Sequence, residues 1–228
     1  MSWIQDFKSE YVSQVAQMSP SFTYGLTINL KPHGQIPFPE QTTQSYCIEA
    51  PDAVKTTHAP SDTLKEMMVW EESEDNPYIQ MYHRAYLTEC IAIDIPENTK
   101  GEIRIDQHAK ADTVGTLLIH VGKNSDVTFV VNKESQDVLV SEQMHLAVDT
   151  GSTVKVISVQ QTHPQAVNWH SRKAQLGKDA HIQWIDVQIG SGFTSSQVIT
   201  FLDKEGASCK NTALYCAKQE QQFDIYTA

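Results

Sequence analysis

The sequence has no long apolar run. A membrane-spanning helix needs about 18 consecutive apolar residues, and no such stretch occurs. The start, MSWIQDFKSEY, also lacks the basic segment followed by an apolar one that marks a signal peptide. We therefore expect a cytoplasmic protein without a membrane partner.

Basic residues are scarce as well. Lys and Arg total 17 against 28 Asp and Glu, so the formal net charge is -11. No basic stripe is available to neutralise phosphates, which argues against nucleic acid as a partner. The GxSxG, Walker and GxGxxG sequences are absent too, so neither a nucleophile elbow nor a nucleotide site is expected. These absences predict no catalytic residues and a protein that is not an enzyme.

Cysteine is sparse and unpaired in the sequence. No CxxC pair occurs among the four cysteines, which are Cys47, Cys90, Cys209 and Cys216. This usage is typical of reduced thiols rather than of a disulfide framework. The nine histidines form no HxH or HExxH pair and no closely spaced Cys/His set, so no metal ligands can be assigned.

What the chain does contain is a repeat of β character. Four segments align, the last loosely: VGKNSDVTFVV (121–131), VDTGSTVKVISV (148–159), LGKDAHIQWIDV (176–187) and DKEGASCKNTAL (203–214). Matching positions are 27, 28 and 27 residues apart. A constant step with β content predicts a solenoid whose turns stack on one another. An earlier relative at 95–105 aligns 24 residues upstream of Val127, so the solenoid is expected to start near Leu87.

Stacking the repeats predicts which side chains face inward. The first inward ladder is Val127, Val154, Ile182 and Cys209, and the second is Phe129, Val156, Trp184 and Asn211. The polar ladder between them, which should face water, is Thr128, Lys155, Gln183 and Lys210. One position past the second ladder the residues are again mostly apolar: Val130, Ile157, Ile185 and Thr212. This break in alternation predicts a corner or bulge at that point.

The first third of the chain has a different character. Trp3, Phe7, Tyr11 and Val15 recur at four-residue spacing, which predicts an amphipathic helix over 3–18. Alternation over 24–30 indicates one strand. The Asn-Pro pair at 76–77 is a preferred helix start, so PYIQMYHRAY should form a helix. We therefore divide the chain into a small α/β region, 1–86, and a mainly β solenoid, 87–228.

Several of these segments together resemble one family. AVNWHSRKAQLGKDAHIQWIDVQIGSG (166–192), NPYIQMYHRAYLTECIAIDIPENTKGEIRI (76–105) and QQFDIYTA (221–228) are similar, in consistent order, to the SufB/SufD scaffold proteins of SUF iron–sulfur cluster assembly. The resemblance implies a right-handed parallel β-helix that acts as a scaffold. It also implies a SufB/SufD-type partner subunit, a SufC-type ABC ATPase, and at most a transient iron–sulfur cluster in the full assembly.

Two departures from the family pattern modify that expectation. The resemblance implies further β-helix turns and a C-terminal region, so the β-helix is expected to be C-terminally incomplete and to self-associate through its open last strand. In the SufB branch a cysteine linked with sulfur uptake occupies the position of Thr200. Threonine there favours a SufD-like relative.

Cys209 and Cys216 are the candidates for thiolate chemistry, as metal ligands or persulfide acceptors. Cys209 falls in a ladder of Val and Ile, which favours a buried thiol that acts as a small apolar side chain. Because the two cysteines are an odd number of residues apart, they should point to opposite faces of one strand, and Cys216 is the more accessible candidate. We expect Cys47 and Cys90 in the core, and His163 and His170 on the surface.

Two other functions are compatible with a solenoid. A carbohydrate-active β-helix protein would line a groove with carboxylates, but such proteins are typically secreted and the acidic residues here do not cluster in the repeats. A degenerate structural binding module is the second alternative. Genes for an ABC-type ATPase and a cysteine desulfurase beside this one would favour cluster assembly, whereas a sugar-uptake cluster would favour the carbohydrate alternative.

Overall fold

A computed structural model describes residues 2–15, 45–69 and 77–228. The helices are α1 (Ser2–Val15), α2 (Asp62–Glu66) and α3 (Pro77–Tyr86), and a 3₁₀ turn, Met67–Val69, follows α2. The strands are β1 (Tyr46–Glu49), β2 (Lys55–Thr57), β3 (Glu89–Ile95), β4 (Lys100–Ala109), β5 (Thr113–Val121), β6 (Asp126–Ser135), β7 (Leu139–Val148), β8 (Thr153–Thr162), β9 (Val167–Leu176), β10 (His181–Gly190), β11 (Phe193–Phe201), β12 (Ser208–Cys216) and β13 (Gln222–Thr227).

The helices predicted near the N-terminus and after residue 76 are α1 and α3. The predicted strand at 24–30, the Asn76 cap and residues 16–18 of the first helix lie outside the described residues. None of the helices in the described part of the chain is both long and apolar enough to cross a bilayer.

From β3 onward the chain forms a parallel β-solenoid of about 5 turns, as the repeat predicts. Each turn contributes one strand to each of two sheets. Sheet A has the order β1-β4-β6-β8-β10-β12, and sheet B has the order β2-β3-β5-β7-β9-β11-β13. The inner faces of the two sheets enclose the main apolar core.

The pairing register confirms both inward ladders. Val127 pairs with Val154, Val154 with Ile182, and Ile182 with Cys209. The upstream alignment was wrong by two residues, because the partner of Val127 in the preceding turn is Gly101, 26 residues earlier. In the pairing register the connection from β4 to β5 is one residue shorter than the connection from β6 to β7, so the preceding turn is shorter than the repeat.

The predicted corner or bulge after the second ladder is also wrong. Strands β6, β8 and β10 run straight on for several residues, with alternating buried and half-buried positions. Val130, Ile157 and Ile185 lie on the outward face of sheet A, where they pair in register and are half-buried by one another. A stacked β-branched ladder shields itself on the outside of the solenoid, so apolar residues there do not require a corner.

Turns at one corner stack in the same way as the strands. A single residue with positive φ recurs in each turn, at Asn98, Asn124, Gly151, Asp179 and Gly206. Asn, Asp and Gly are the residues that tolerate this left-handed conformation. The amide nitrogens of Asn124, Gly151 and Asp179 each donate to a carbonyl in the next turn, at 2.9 to 3.1 Å. These turns therefore add hydrogen bonds along the solenoid axis.

The N-terminal elements cover the start of the solenoid and one of its faces. Strand β1 pairs antiparallel with β4, and β2 pairs antiparallel with β3. Helix α3 lies on the outer face of sheet B, where the Tyr82 ring meets Trp169 edge-on at 5.1 Å, and α1 packs against α3. Sheet B is consequently buried on both faces along β7 and β9.

Candidate functional site

The solenoid interior changes from apolar to polar along each turn. On sheet A an inward ladder is formed by Gln107, Lys133, Gln160 and Gln188, and on sheet B the facing ladder is Glu142, His170 and Ser196. All of these side chains are buried. Together with Tyr46, Arg172, Asp186 and Thr194 they form what we call the interior polar column.

The first ion pair of the column joins the two sheets. The Lys133 ammonium donates to Glu142, and the side chains are 3% and 0% exposed. Lys133 Nζ also lies 3.4 Å from His170 Nδ1. Burial lowers the pKa of Lys133, and the Glu142 carboxylate opposes that shift. A buried charge pair of this kind is strongly coupled, because either partner alone would be an unpaired charge in the interior.

His170 continues the chain of hydrogen bonds into the next turn. Its Nε2 lies 2.7 Å from Gln160 Oε1, and Gln160 Nε2 donates to Thr194 Oγ1 at 3.2 Å. Burial, with Lys133 and Arg172 nearby, lowers the pKa of His170 well below its ordinary value. The ring is therefore neutral, with the proton on Nε2 and the Nδ1 lone pair facing the Lys133 ammonium.

Tyr46 of β1 closes the column at its N-terminal end. Its hydroxyl donates to Glu142 Oε2 at 3.2 Å and accepts from Gln107 Nε2 at 2.9 Å. A Cβ on Gly115 would lie 2.6 Å from that hydroxyl, so the missing side chain makes room for the phenol. Burial raises the pKa of Tyr46, as do Glu142 and Glu89, so the hydroxyl stays protonated and can donate.

A second ion pair, of opposite orientation, joins β9 and β10 further along the solenoid. Here sheet B supplies the cation and sheet A the anion: Arg172 donates to Asp186, and also to Ser196 Oγ at 2.7 Å. Gln188 Nε2 donates to both of the same acceptors at 2.9 Å. Burial favours the neutral acid, but Arg172 outweighs it and holds the pKa of Asp186 below its usual value.

The sequence comparison assigns the chain to a family. The sequence model described as SUF system FeS cluster assembly, SufBD core domain matches residues 103–228. This chain belongs to that SufBD core family. The match covers most of the solenoid and all of the interior polar column except Tyr46. No curated protein matches the chain.

The interior polar column is the part of this SufBD core that sequence reasoning missed. His170 was predicted on the surface, but it is buried at 4% exposure, whereas His163 is exposed as predicted. The sequence did contain a signal for Lys133. Every second residue of β6 faces inward, so counting on from Val127 and Phe129 places Lys133 on the inward face. No comparable signal exists for His170, because its strand is buried on both faces.

All four cysteines are free thiols. Cys90 is buried as expected, and burial raises its pKa to about 12, so it remains a thiol. Cys47 was expected in the core but is exposed. It lies on an edge strand whose alternate residues point outward, and Tyr46 takes the inward position.

The two candidate thiols, Cys209 and Cys216, point to opposite faces of β12. Cys209 is half-buried and not fully buried as expected; it packs against the main core, and its Sγ donates to Thr200 Oγ1 at 3.4 Å. Burial raises the pKa of Cys209 although the bond to Thr200 opposes the shift. Cys216 is exposed.

These thiols do not assemble a metal site within the described ranges. No group of three His, Cys, Asp or Glu side chains there is placed to hold a metal ion. The two exposed thiols, Cys47 and Cys216, lie on strands at opposite ends of sheet A, roughly 24 Å apart at the usual strand spacing. A cluster with several thiolate ligands therefore needs ligands from outside this set.

The packing of Cys209 yields a stability prediction. Cys209→Val should be tolerated, because Val fills the same ladder position at Val127 and Val154. Cys209→Ala should reduce the free energy of unfolding by roughly 1 to 2 kcal/mol, as a modest buried truncation does. Urea unfolding of both variants measures this. Loss of iron or sulfide binding in Cys209→Val at unchanged stability would instead assign the thiol as a ligand.

Proposed function

We propose that this chain is a scaffold component of iron–sulfur cluster assembly that catalyses no reaction alone. It acts with a second SufB/SufD-type subunit and a SufC-type ABC ATPase in the cytoplasm. The observation that carries the proposal is the SufBD core match over residues 103–228, which covers most of the solenoid. Family membership also favours cluster assembly over the carbohydrate-active alternative.

The rigidity of the solenoid supports a scaffold role. Parallel strands pair continuously from β4 to β12 in sheet A and from β3 to β13 in sheet B, with two charge pairs locked inside. Such an element can hold a partner in a fixed position while an ATP-driven subunit rearranges. Deformation of the solenoid itself would break strand pairing and expose buried charges, which opposes bending within it.

The cluster is cargo in this proposal and not a resident group. The dispersed thiols support that view, because any one of them supplies only a single ligand to a cluster. Cys216 is the better candidate of the two exposed thiols, because it lies within the residues that match the SufBD core, 103–228, and Cys47 does not. Thr200 supports a SufD-like role, because its hydroxyl accepts hydrogen bonds from Trp184 and Cys209 and offers no thiol for sulfur uptake.

Co-purification tests the assembly role directly. The chain should be co-expressed with the SufB-type and SufC-type proteins of the same genome, and the complex examined by size exclusion with light scattering. We expect the three proteins to elute together and ATP hydrolysis to require the SufC-type subunit. Elution of the chain without either partner, or ATP hydrolysis by the purified chain alone, would contradict the proposal.

A matched pair of thiol variants then tests the cargo contact. Cys216→Ser should lower the iron and sulfide retained by the reconstituted complex, whereas Cys47→Ser should leave both unchanged, although both thiols are exposed. Equal retention in both variants would remove Cys216 as a candidate ligand while leaving the assembly result intact.

A further inference from the structure

Three buried polar atoms inside the solenoid have no hydrogen-bond partner within the described part of the chain. They are Arg172 Nε, Gln188 Oε1 and Asn168 Oδ1. The three residues are 2%, 1% and 1% exposed, so bulk solvent does not reach them. Leaving a buried donor or acceptor unsatisfied costs about 1 to 3 kcal/mol each, and native interiors rarely accept this.

Two of these atoms belong to the same cluster. Arg172 and Gln188 both donate to Asp186 and to Ser196 Oγ. Their remaining polar atoms therefore flank one ion pair. The orientation of the Gln188 amide is settled by its partner, because a carboxylate accepts only and must face the NH₂ group. Gln188 Oε1 is consequently the atom that needs a donor.

We propose that the interior polar column binds ordered water beside the Arg172–Asp186 pair. Arg172 Nε needs an acceptor and Gln188 Oε1 needs a donor, and water can serve as either. An anion could not donate to Gln188, and a cation could not accept from Arg172. The charges of Arg172 and Asp186 already balance, so the site requires no counter-ion.

Asn168 marks a second water position in the column. Its Nδ2 donates to Thr162 Oγ1 at 3.1 Å, and its Oδ1 is the atom left without a partner among the described residues. The inward neighbour of Asn168 in the next turn is Thr194, which belongs to the hydrogen-bond chain of His170 and Gln160. A polar interior that offers each water several partners is the setting in which buried water is retained.

The site can be tested on the wild-type chain without any substitution. The N–H group of Arg172 Nε is visible by NMR, and bound water should give it a cross-relaxation peak with the sign of a long-lived contact. Absence of that peak, with the Arg172 resonance assigned and protected from exchange, would overturn the proposal. A crystal structure showing Arg172 Nε bonded to a protein atom would overturn it equally.

A pair of substitutions on one strand tests it by counting water. Magnetic relaxation dispersion of water oxygen-17 reports long-lived internal molecules. Gln188→Met should lose the amplitude of about one such molecule, because the variant removes an acceptor of the site. Gln183→Met, which lies on the outward half-buried face of the same strand, should retain the wild-type amplitude. Equal amplitudes in the two folded variants would contradict the proposal, and the wild-type NMR experiment decides it if Gln188→Met does not fold.

Discussion

Lys133→Met will reduce the free energy of unfolding by about 3 to 5 kcal/mol, the range observed when one partner of a buried charge pair is removed. The substitution keeps most of the side-chain volume but leaves the Glu142 carboxylate buried at 0% exposure, with only the Tyr46 hydroxyl as a partner among the described residues. Urea unfolding followed by circular dichroism measures the change.

Two further variants separate the charge effect from packing. Lys133→Met combined with Glu142→Gln should recover much of the loss, because a neutral amide still accepts from Tyr46 without carrying a charge. Lys155→Met removes a half-exposed lysine on the outward face of sheet A and should change stability by no more than about 0.5 kcal/mol. If Lys133→Met matched Lys155→Met in stability, the ion pair would contribute nothing to the fold.

Acidification should unfold the protein with a midpoint between about pH 3 and about pH 5. Three buried histidines carry lowered pKa values: burial lowers the pKa of His83 to about 3 and lowers those of His145 and His170 well below the ordinary value. His83 is held neutral with its ring nitrogens 2.8 Å from the hydroxyls of Ser141 and Thr116.

Stability falls on acidification because the pKa values of the three histidines are lower in the folded protein than in the unfolded chain. In the unfolded chain these histidines titrate near pH 6.5, so below that pH the unfolded state binds more protons than the folded state. Stability is therefore fully present above about pH 6.5 and is lost as pH falls toward the folded pKa values. Each histidine contributes about 1.4 kcal/mol per pH unit, roughly 4 kcal/mol per unit for all three, against a total stability of about 5 to 15 kcal/mol.

Urea unfolding between pH 4.5 and 7.5 checks this slope. His170→Gln should reduce the slope by about one histidine's contribution, whereas His163→Gln, on the surface, should keep the wild-type slope. A wild-type stability that stays constant from pH 7 to 5 would show that the buried rings are not held neutral.

The solenoid could be predicted because its signal is local and repeated. Each turn repeats similar turn residues and the same alternation of inward and outward side chains along its strands. Aligning the turns in the sequence therefore reproduces the register that pairs Val127, Val154 and Ile182. Helices α1 and α3 were predictable for the same reason, since the spacing of Phe7 and Tyr11 and the start at Pro77 are local patterns.

The polar interior was not predictable in this way. Alternation identifies an inward face only when the other face meets water, and β7 and β9 are buried on both sides by the solenoid and by the N-terminal helices. Their polar residues, including His170, therefore resemble surface residues in the sequence. The prediction of a corner after Phe129 was wrong for the opposite reason. The outward ladder of Val130, Ile157 and Ile185 is apolar, so in the sequence it resembles a buried ladder.

The sequence by itself determined the fold class, the repeat length and the strand register from β6 to β12, because these depend on the alternation of inward residues and on turn chemistry within single turns. Only the tertiary structure decided which polar groups meet. Lys133 and Glu142 lie on different sheets, and their contact depends on how far apart the two sheets sit and where each turn ends. Burial then selects the charge states, since a group in the interior is stable as an ion only beside its partner.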